Sequence, residues 1–166
     1  MTAWTSTLIP CLSPMQHEPA PARSRARRRA DVLAKLESEV DLWVASASAE
    51  GDAYLVPLSF AWDGTRLTIA TPKSSVTGRN LARRGWARVA LGPTRDVVII
   101  EGPVEVMPVG EDDELAAAHA AKAGFDAREA QGRWIFLRVA PRTIQAWREV
   151  NELEGRQVMI DGEWLT

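Results

Sequence analysis

The sequence predicts a mainly β fold: a closed antiparallel barrel of six or seven short strands, with helices packed around it. Three observations carry that prediction. Short runs alternating between apolar and polar residues recur along the 166-residue chain, the periodicity of half-buried strands. Asp63-Gly64 and Asp161-Gly162 each fall between two such runs, and Asp-Gly is a strong hairpin signal because it suits a turn whose residues take φ > 0. The short strands follow one another at regular spacing with helices inserted among them, which suggests a closed antiparallel barrel.

Composition bounds the rest. Apolar residues make up 46% and charged residues 25%, ordinary for a globular domain. The net charge of -2 divides into +4 over residues 1–30 and -6 beyond, so nucleic-acid binding by the acidic body is not expected. Cys11 is the sole cysteine, so neither an intrachain disulfide nor a cysteine metal cluster can form. Two histidines, His17 and His119, are too few for a metal site or a catalytic triad. No apolar run reaches the length of a membrane span, and the first residues lack the basic-then-apolar order of a secretory leader. A cytoplasmic protein is expected.

In chain order, residues 1–22 are proline-rich and aperiodic, which predicts a disordered tail before a domain over 23–166. The basic cluster Arg23–Arg29 leads into a helix from about Ser24 to Glu39, with Ala30, Leu33, Leu36 and Val40 on its apolar stripe. The arginines read as a solvated helix start, with an arm for a polyanion as the alternative. Strands follow over 41–48, 53–61 and 65–70. Pro57 within the second lacks a ladder donor, which places it at an edge, at a bulge or beside a ligand. Ser74 or Ser75 caps a helix running to about Arg84, ahead of a strand over 86–91. A long strand over 96–107 carries a bulge at Gly102-Pro103. The helix over 111–123 opens on acids and closes at Gly124, with His119 on its surface. Strands over 134–140 and 142–148 precede a terminal hairpin. Trp43, Trp62, Trp86, Trp134 and Trp164 are assigned to packing.

No Gly-rich nucleotide loop, nucleophile elbow or metal-ligand spacing is present. Asp112 and Asp113 sit at a helix start, where dipole compensation accounts for them. Two segments remain. Thr71 to Asn80 is a strand end and a hydroxyl-rich helix start, and such a start offers free N–H groups to an anion. Ile144-Gln-Ala-Trp147 is followed after a short loop by Arg156.

With Val56-Pro57-Leu58-Ser59-Phe60, these segments resemble the pyridoxamine 5′-phosphate oxidase-like, FMN-binding split-barrel superfamily over about Asp41–Leu165. The likeness is nearest to its flavin- or deazaflavin (F420)-dependent oxidoreductases, where Arg79-Asn80-Leu81 has counterparts. The resemblance implies a homodimeric split barrel. Val56, Pro57, Leu58 and Ser59 would run beside the coenzyme ring, and Thr71, Lys73, Ser74, Ser75, Thr77, Arg79 and Asn80 would hold the phosphate. Trp147 and Arg156 would close the site from the neighbouring subunit. Each also has a plainer reading: Trp147 as core or interface filler, Arg79 as a solvated helix residue, Ser59 as a cross-strand partner.

Two departures bear on function. Where many members carry Ser-Arg-Lys, this chain has Ser75-Val76-Thr77, so two cations are missing from the phosphate helix. Where true pyridoxine phosphate oxidases place a basic residue and a histidine before the last arginine, this chain has Glu152 and Glu154, which would repel a substrate phosphate. The implied activity is hydride transfer between F420 or FMN and a small molecule, with no catalytic acid or base nominated because the coenzyme does the chemistry. The missing cations and the Arg79-Asn80-Leu81 ending favour F420, whose oligoglutamate tail would suit Lys73, Arg83, Arg84 or the Arg23–Arg29 arm. The alternative is a non-catalytic flavin-, haem- or tetrapyrrole-binding member of the same fold.

Overall fold

The computed structural model describes residues 20–166. Most of the expected tail, with Cys11 and His17, lies outside them. The elements are α1 (Arg25–Ser38), β1 (Asp41–Ala47), β2 (Ala53–Trp62), β3 (Leu67–Pro72), α2 (Val76–Arg84), β4 (Trp86–Leu91), β5 (Val97–Pro108), α3 (Asp113–Ala123), β6 (Trp134–Val139), β7 (Thr143–Trp147), β8 (Gln157–Ile160) and β9 (Glu163–Trp164). The pairing order β4-β1-β2-β3-β6-β5 returns to β4, which closes a six-stranded antiparallel barrel. β7, β8 and β9 continue the sheet from β5.

β5 serves both halves of the structure because it changes neighbour midway. Its first part pairs β4 and β7, and its last part, from Val104, pairs β6. The expected bulge at Gly102-Pro103 is instead a corner: the β4 ladder continues unbroken through Pro103. A Cβ on Gly102 would lie 1.8 Å from the Ala140 carbonyl oxygen, so only glycine lets the two chains cross there. Phe60, Leu67, Ile69, Val89, Ile100, Leu137 and Val139 fill the barrel from alternate positions of its strands.

α1 is capped by Ser24, whose hydroxyl accepts from the Arg27 amide. Of the expected stripe it buries Leu36 and half-buries Leu33, while Ala30 and Val40 are exposed and Arg28 and Val32 are buried instead. Spacing alone could not separate two stripes offset by part of a turn when one of them contains an arginine. The basic cluster is likewise no free arm. Arg23 is clasped by Glu152 and Asp31, Arg27 meets Asp31, and Arg29 lies over Trp164.

α3 covers a second apolar cluster formed by Ala70, Ala116, Ala127 and Phe136, with Leu115 and Trp134 beside it. His119 is buried there, 2% exposed and 5.4 Å from the Phe136 ring, which corrects its expected surface position. The mostly-alanine helix lies close enough to the sheet to enclose an imidazole. Two tryptophans assigned to packing also differ: Trp43 and Trp86 are 49% and 42% exposed, on outward positions of β1 and β4.

Only one of the two Asp-Gly turns takes positive φ at both residues, Asp161 (54°) and Gly162 (85°). At Asp63-Gly64 only Gly64 does. The Asp63 carboxylate accepts from the amides of Thr65 and Arg66 instead, making a wider side-chain-stapled loop.

Candidate functional site

The sequence-nominated residues fall into three groups in one protomer. The first surrounds the start of α2. Pro72 ends β3, and the chain turns so that the Ser75 amide donates to the Pro72 carbonyl. The Ser75 hydroxyl then caps the helix by accepting from the Gly78 amide, and it also bonds the Thr71 hydroxyl at 2.9 Å. A Cβ on Gly78 would approach the Pro72 carbonyl oxygen to 2.7 Å, so glycine lets the helix start fold back tightly on β3. Thr71, Thr77 and Asn80 are buried, and the Asn80 amide donates to the Ser46 hydroxyl. These side chains therefore shape the turn from inside.

Lys73, Ser74 and Arg79 face outward and line one cleft of about 330 Å³ together with Arg133. The Arg79 guanidinium donates to the Ser74 carbonyl, which holds it at the helix start. The Lys73 amide donates to the Arg133 carbonyl at 2.8 Å, where β3 and β6 run side by side and Pro72 pairs with Trp134. That pairing delivers Arg133, which sequence reasoning missed. No motif marks it, and only the strand register reveals it. None of Lys73, Arg79 and Arg133 makes an ion pair among the described residues, whereas Arg66, Arg88, Arg95, Arg138 and Arg142 each meet a carboxylate. Three unneutralised cations thus line one cleft at the start of a helix, the positive end of its dipole, an arrangement suited to an anion.

The second group is on β2. Val56, Pro57, Leu58 and Ser59 pair with Val44, Trp43, Leu42 and Asp41 of β1. β3 pairs β2 only from Phe60 onward, so this half of β2 has one unpaired edge. The Phe60 amide donates to Val40, and by alternation the position of Pro57 faces the unpaired edge. Its missing N–H therefore costs no ladder bond. The Ser59 hydroxyl donates to Asp41. Outward on the same wall, Trp43, Leu55, Pro57 and Trp86 form an exposed apolar patch.

The third group is at the end of β7. The Arg156 guanidinium lies 5.9 Å from the Trp147 ring centre and donates to the Gln145 side chain at 2.9 Å. Arg156, Gln145, Leu153, Gly155 and Gln157 line a cleft of about 300 Å³. Neither Trp147 nor Arg156 lines the α2 cleft.

Glu152 does not face this cleft as a repulsive charge. It is 3% exposed and accepts from the Arg23 guanidinium at 2.7 and 2.9 Å, the Arg23 amide and the Arg148 amide. These bonds, led by the Arg23 side chain, hold its pKa at about 2. The Glu152 half of the expected electrostatic case against a substrate phosphate is thereby removed, and Glu154 alone remains exposed. Among the described residues no group of three or more His, Cys, Asp or Glu could hold a metal ion, and no helix is long and apolar enough to cross a membrane.

Comparisons with known proteins accord with this architecture. A family profile described as pyridoxamine 5′-phosphate oxidase matches residues 30–148, and the chain belongs to that family. No curated protein sequence matches it. Among solved structures, an F420 reductase is 15% identical with a TM-score of 0.57, covering 67% of this chain and 93% of its own. General Stress Protein 26 from Bacillus anthracis is 15% identical with a TM-score of 0.58, covering 72% and 92% respectively. A heme binding protein from Mycobacterium smegmatis is 22% identical with a TM-score of 0.60, covering 84% of this chain and 59% of its own. At these identities the likeness establishes the split-barrel fold.

Proposed function

We propose that the protein is a homodimer that binds F420 or FMN and passes a hydride between that coenzyme and a small molecule. The observation that carries the reading is the α2 cleft, where Lys73, Arg79 and Arg133 have no acidic partner among the described residues beside the start of α2. Charge-assisted contacts of this kind are about twice as strong as neutral ones. Arg133 supplies a cation that the Ser75-Val76-Thr77 departure removes. The coenzyme ring would accept and release the hydride. Lys73, Ser74 and Arg79 would fix its phosphate, the open edge of β2 would face the ring, and Trp147 with Arg156 of the second protomer would cover it and exclude water. The outward patch of Trp43, Leu55, Pro57 and Trp86 supports self-association, since a monomer seldom leaves such a surface bare.

F420 is the preferred coenzyme. With Arg23, Arg27 and Arg29 engaged internally, an anionic tail finds its cations at Lys73, Arg133, Arg83 and Arg84. Fluorescence titration with each coenzyme tests the proposal. F420 should bind the colourless protein from a host that makes none, and Arg79→Ala should weaken binding about tenfold or more. Yellow protein carrying tight FMN, without affinity for F420, reverses the preference; affinity for neither ends the proposal.

The second reading is a non-catalytic carrier in the same groove. It is prompted by the likeness in fold to a heme binding protein. His119, sealed under α3, cannot reach a haem iron there. Turnover with a generic hydride acceptor separates a carrier from an enzyme.

A further inference from the structure

A second hollow, of about 400 Å³, adjoins the α2 cleft across Lys73 and Arg133. It lies between the end of β5, the start of β6 and the loop following α3. Its floor is apolar, built from Val109 and Ala127, and the Trp134 ring forms one wall, while the Ile135 side chain turns into the barrel core. That ring is fixed in place. Its indole N–H donates to the Gln131 carbonyl, and Phe125, 43% exposed, stands 5.1 Å from it. The volume falls within the range of small-molecule sites, and one to two fused rings would occupy it.

Charge decides what such a hollow would take. None of its lining residues is acidic. Arg128 at the rim is already neutralised by Asp126 and Asp113, whereas Lys73 and Arg133 have no carboxylate partner among the described residues. An apolar floor with an ordered aromatic wall and two uncompensated cations at one mouth matches an amphipathic anion: a planar hydrophobic body ending in a carboxylate, sulfonate or phosphate. A neutral ligand would leave the cations unmatched, and a purely ionic one would leave the floor and indole wall wet.

We propose that this hollow is a binding site for a small aromatic anion, whose ring pocket is separate from the coenzyme clefts and whose charge would compete with the coenzyme's anionic end for Lys73 and Arg133. Trp134 and Val109 would hold the ring, and Arg133 with Lys73 the charge.

The test is titration of the full chain with the aryl sulfonate 1-anilinonaphthalene-8-sulfonate, followed by dye fluorescence and by quenching of tryptophan emission. Saturable binding of one dye per protomer is expected. Arg133→Gln should weaken it about tenfold or more, the size of one charge-assisted contact. Ala130→Trp, which fills the hollow without touching the α2 cleft, should abolish it while leaving the melting temperature in place. Leu55→Ser, on the β1–β2 wall, should have no effect. Dye affinity unchanged in Arg133→Gln and Ala130→Trp, or lost only in Leu55→Ser, overturns the proposal. Should the wild-type chain bind neither F420 nor FMN yet show this dye pattern, the coenzyme reading fails and the hollow stands.

Discussion

At Gly102 a methyl group would fall within bonding distance of the Ala140 carbonyl, on backbone that cannot rotate away. Gly102→Ala should therefore cost about 3 kcal/mol or more, the overpacking penalty at its upper end, read as a lower urea midpoint. His119 makes a pH-dependent prediction. Neither ring nitrogen has a hydrogen-bond partner among the described residues. Burial holds its pKa below the usual 6.5, only partly offset by the nearby Ser59 main chain and the charge of Asp126. The unfolded chain then binds more protons than the native one just below that value. Stability is full above about pH 6.5 and declines as pH falls towards the depressed native pKa. His119→Leu should flatten that decline in thermal melts across mildly acid pH. Neither residue announced its role in the sequence. A glycine inside a strand pattern suits a bulge and a corner equally, and a histidine among alanines carries no sign of which helix face is covered.

Among the elements, the segment before α1 is strapped to the C-terminal part of the chain. Arg23 grips Glu152, Asn151 donates to the Ala20 carbonyl, and Lys35 and Arg148 share Asp96. The strap sets the position of the loop between β7 and β8 that carries Arg156. Removing one partner of a buried pair costs about 3–5 kcal/mol, so Arg23→Ala should destabilise the chain strongly, and adding Glu152→Leu should recover part of the loss. Chemical denaturation of the single and double variants measures both. Because Glu152 titrates at about 2 against an ordinary 4.5, the strap is intact above pH 4.5 and weakens as pH falls from there towards 2. Local signals served well for the elements themselves. Ser75, one of two candidates, caps α2 and Gly124 closes α3 in the left-handed region, both as expected, and Ser24 and Asp112 cap the other two helices. What remained hidden was contact across sequence distance: the Arg23–Glu152 pair spans most of the chain, and the arginine run read naturally as solvated.

For the whole molecule, the alternating strands made the closed barrel legible and the Asp161-Gly162 turn made the β8–β9 hairpin legible, while the attachment of β7, β8 and β9 to β5 was not, because strand order is set by pairing across sequence distance. Of the candidate site, Lys73, Ser74, Arg79 and Arg156 line clefts, Trp147 lies under the Arg156 guanidinium, and Thr71, Ser75, Thr77 and Asn80 support the turn. Arg133 could be found only through the β3–β6 register. The exposed wall of β1, β2 and β4 predicts association: Leu55→Asp should convert a dimer to monomers in sedimentation velocity, since a desolvated carboxylate opposes burial of the patch.

Mixed dimers test most directly whether the site is shared between protomers. Arg79→Ala and Arg156→Ala chains are each titrated with F420 and FMN, then combined and titrated again. A site built from α2 of one protomer and Arg156 of the other predicts weak binding by either variant alone and one restored tight site in each mixed dimer. Binding in the mixture no tighter than in the parent variants would contradict it.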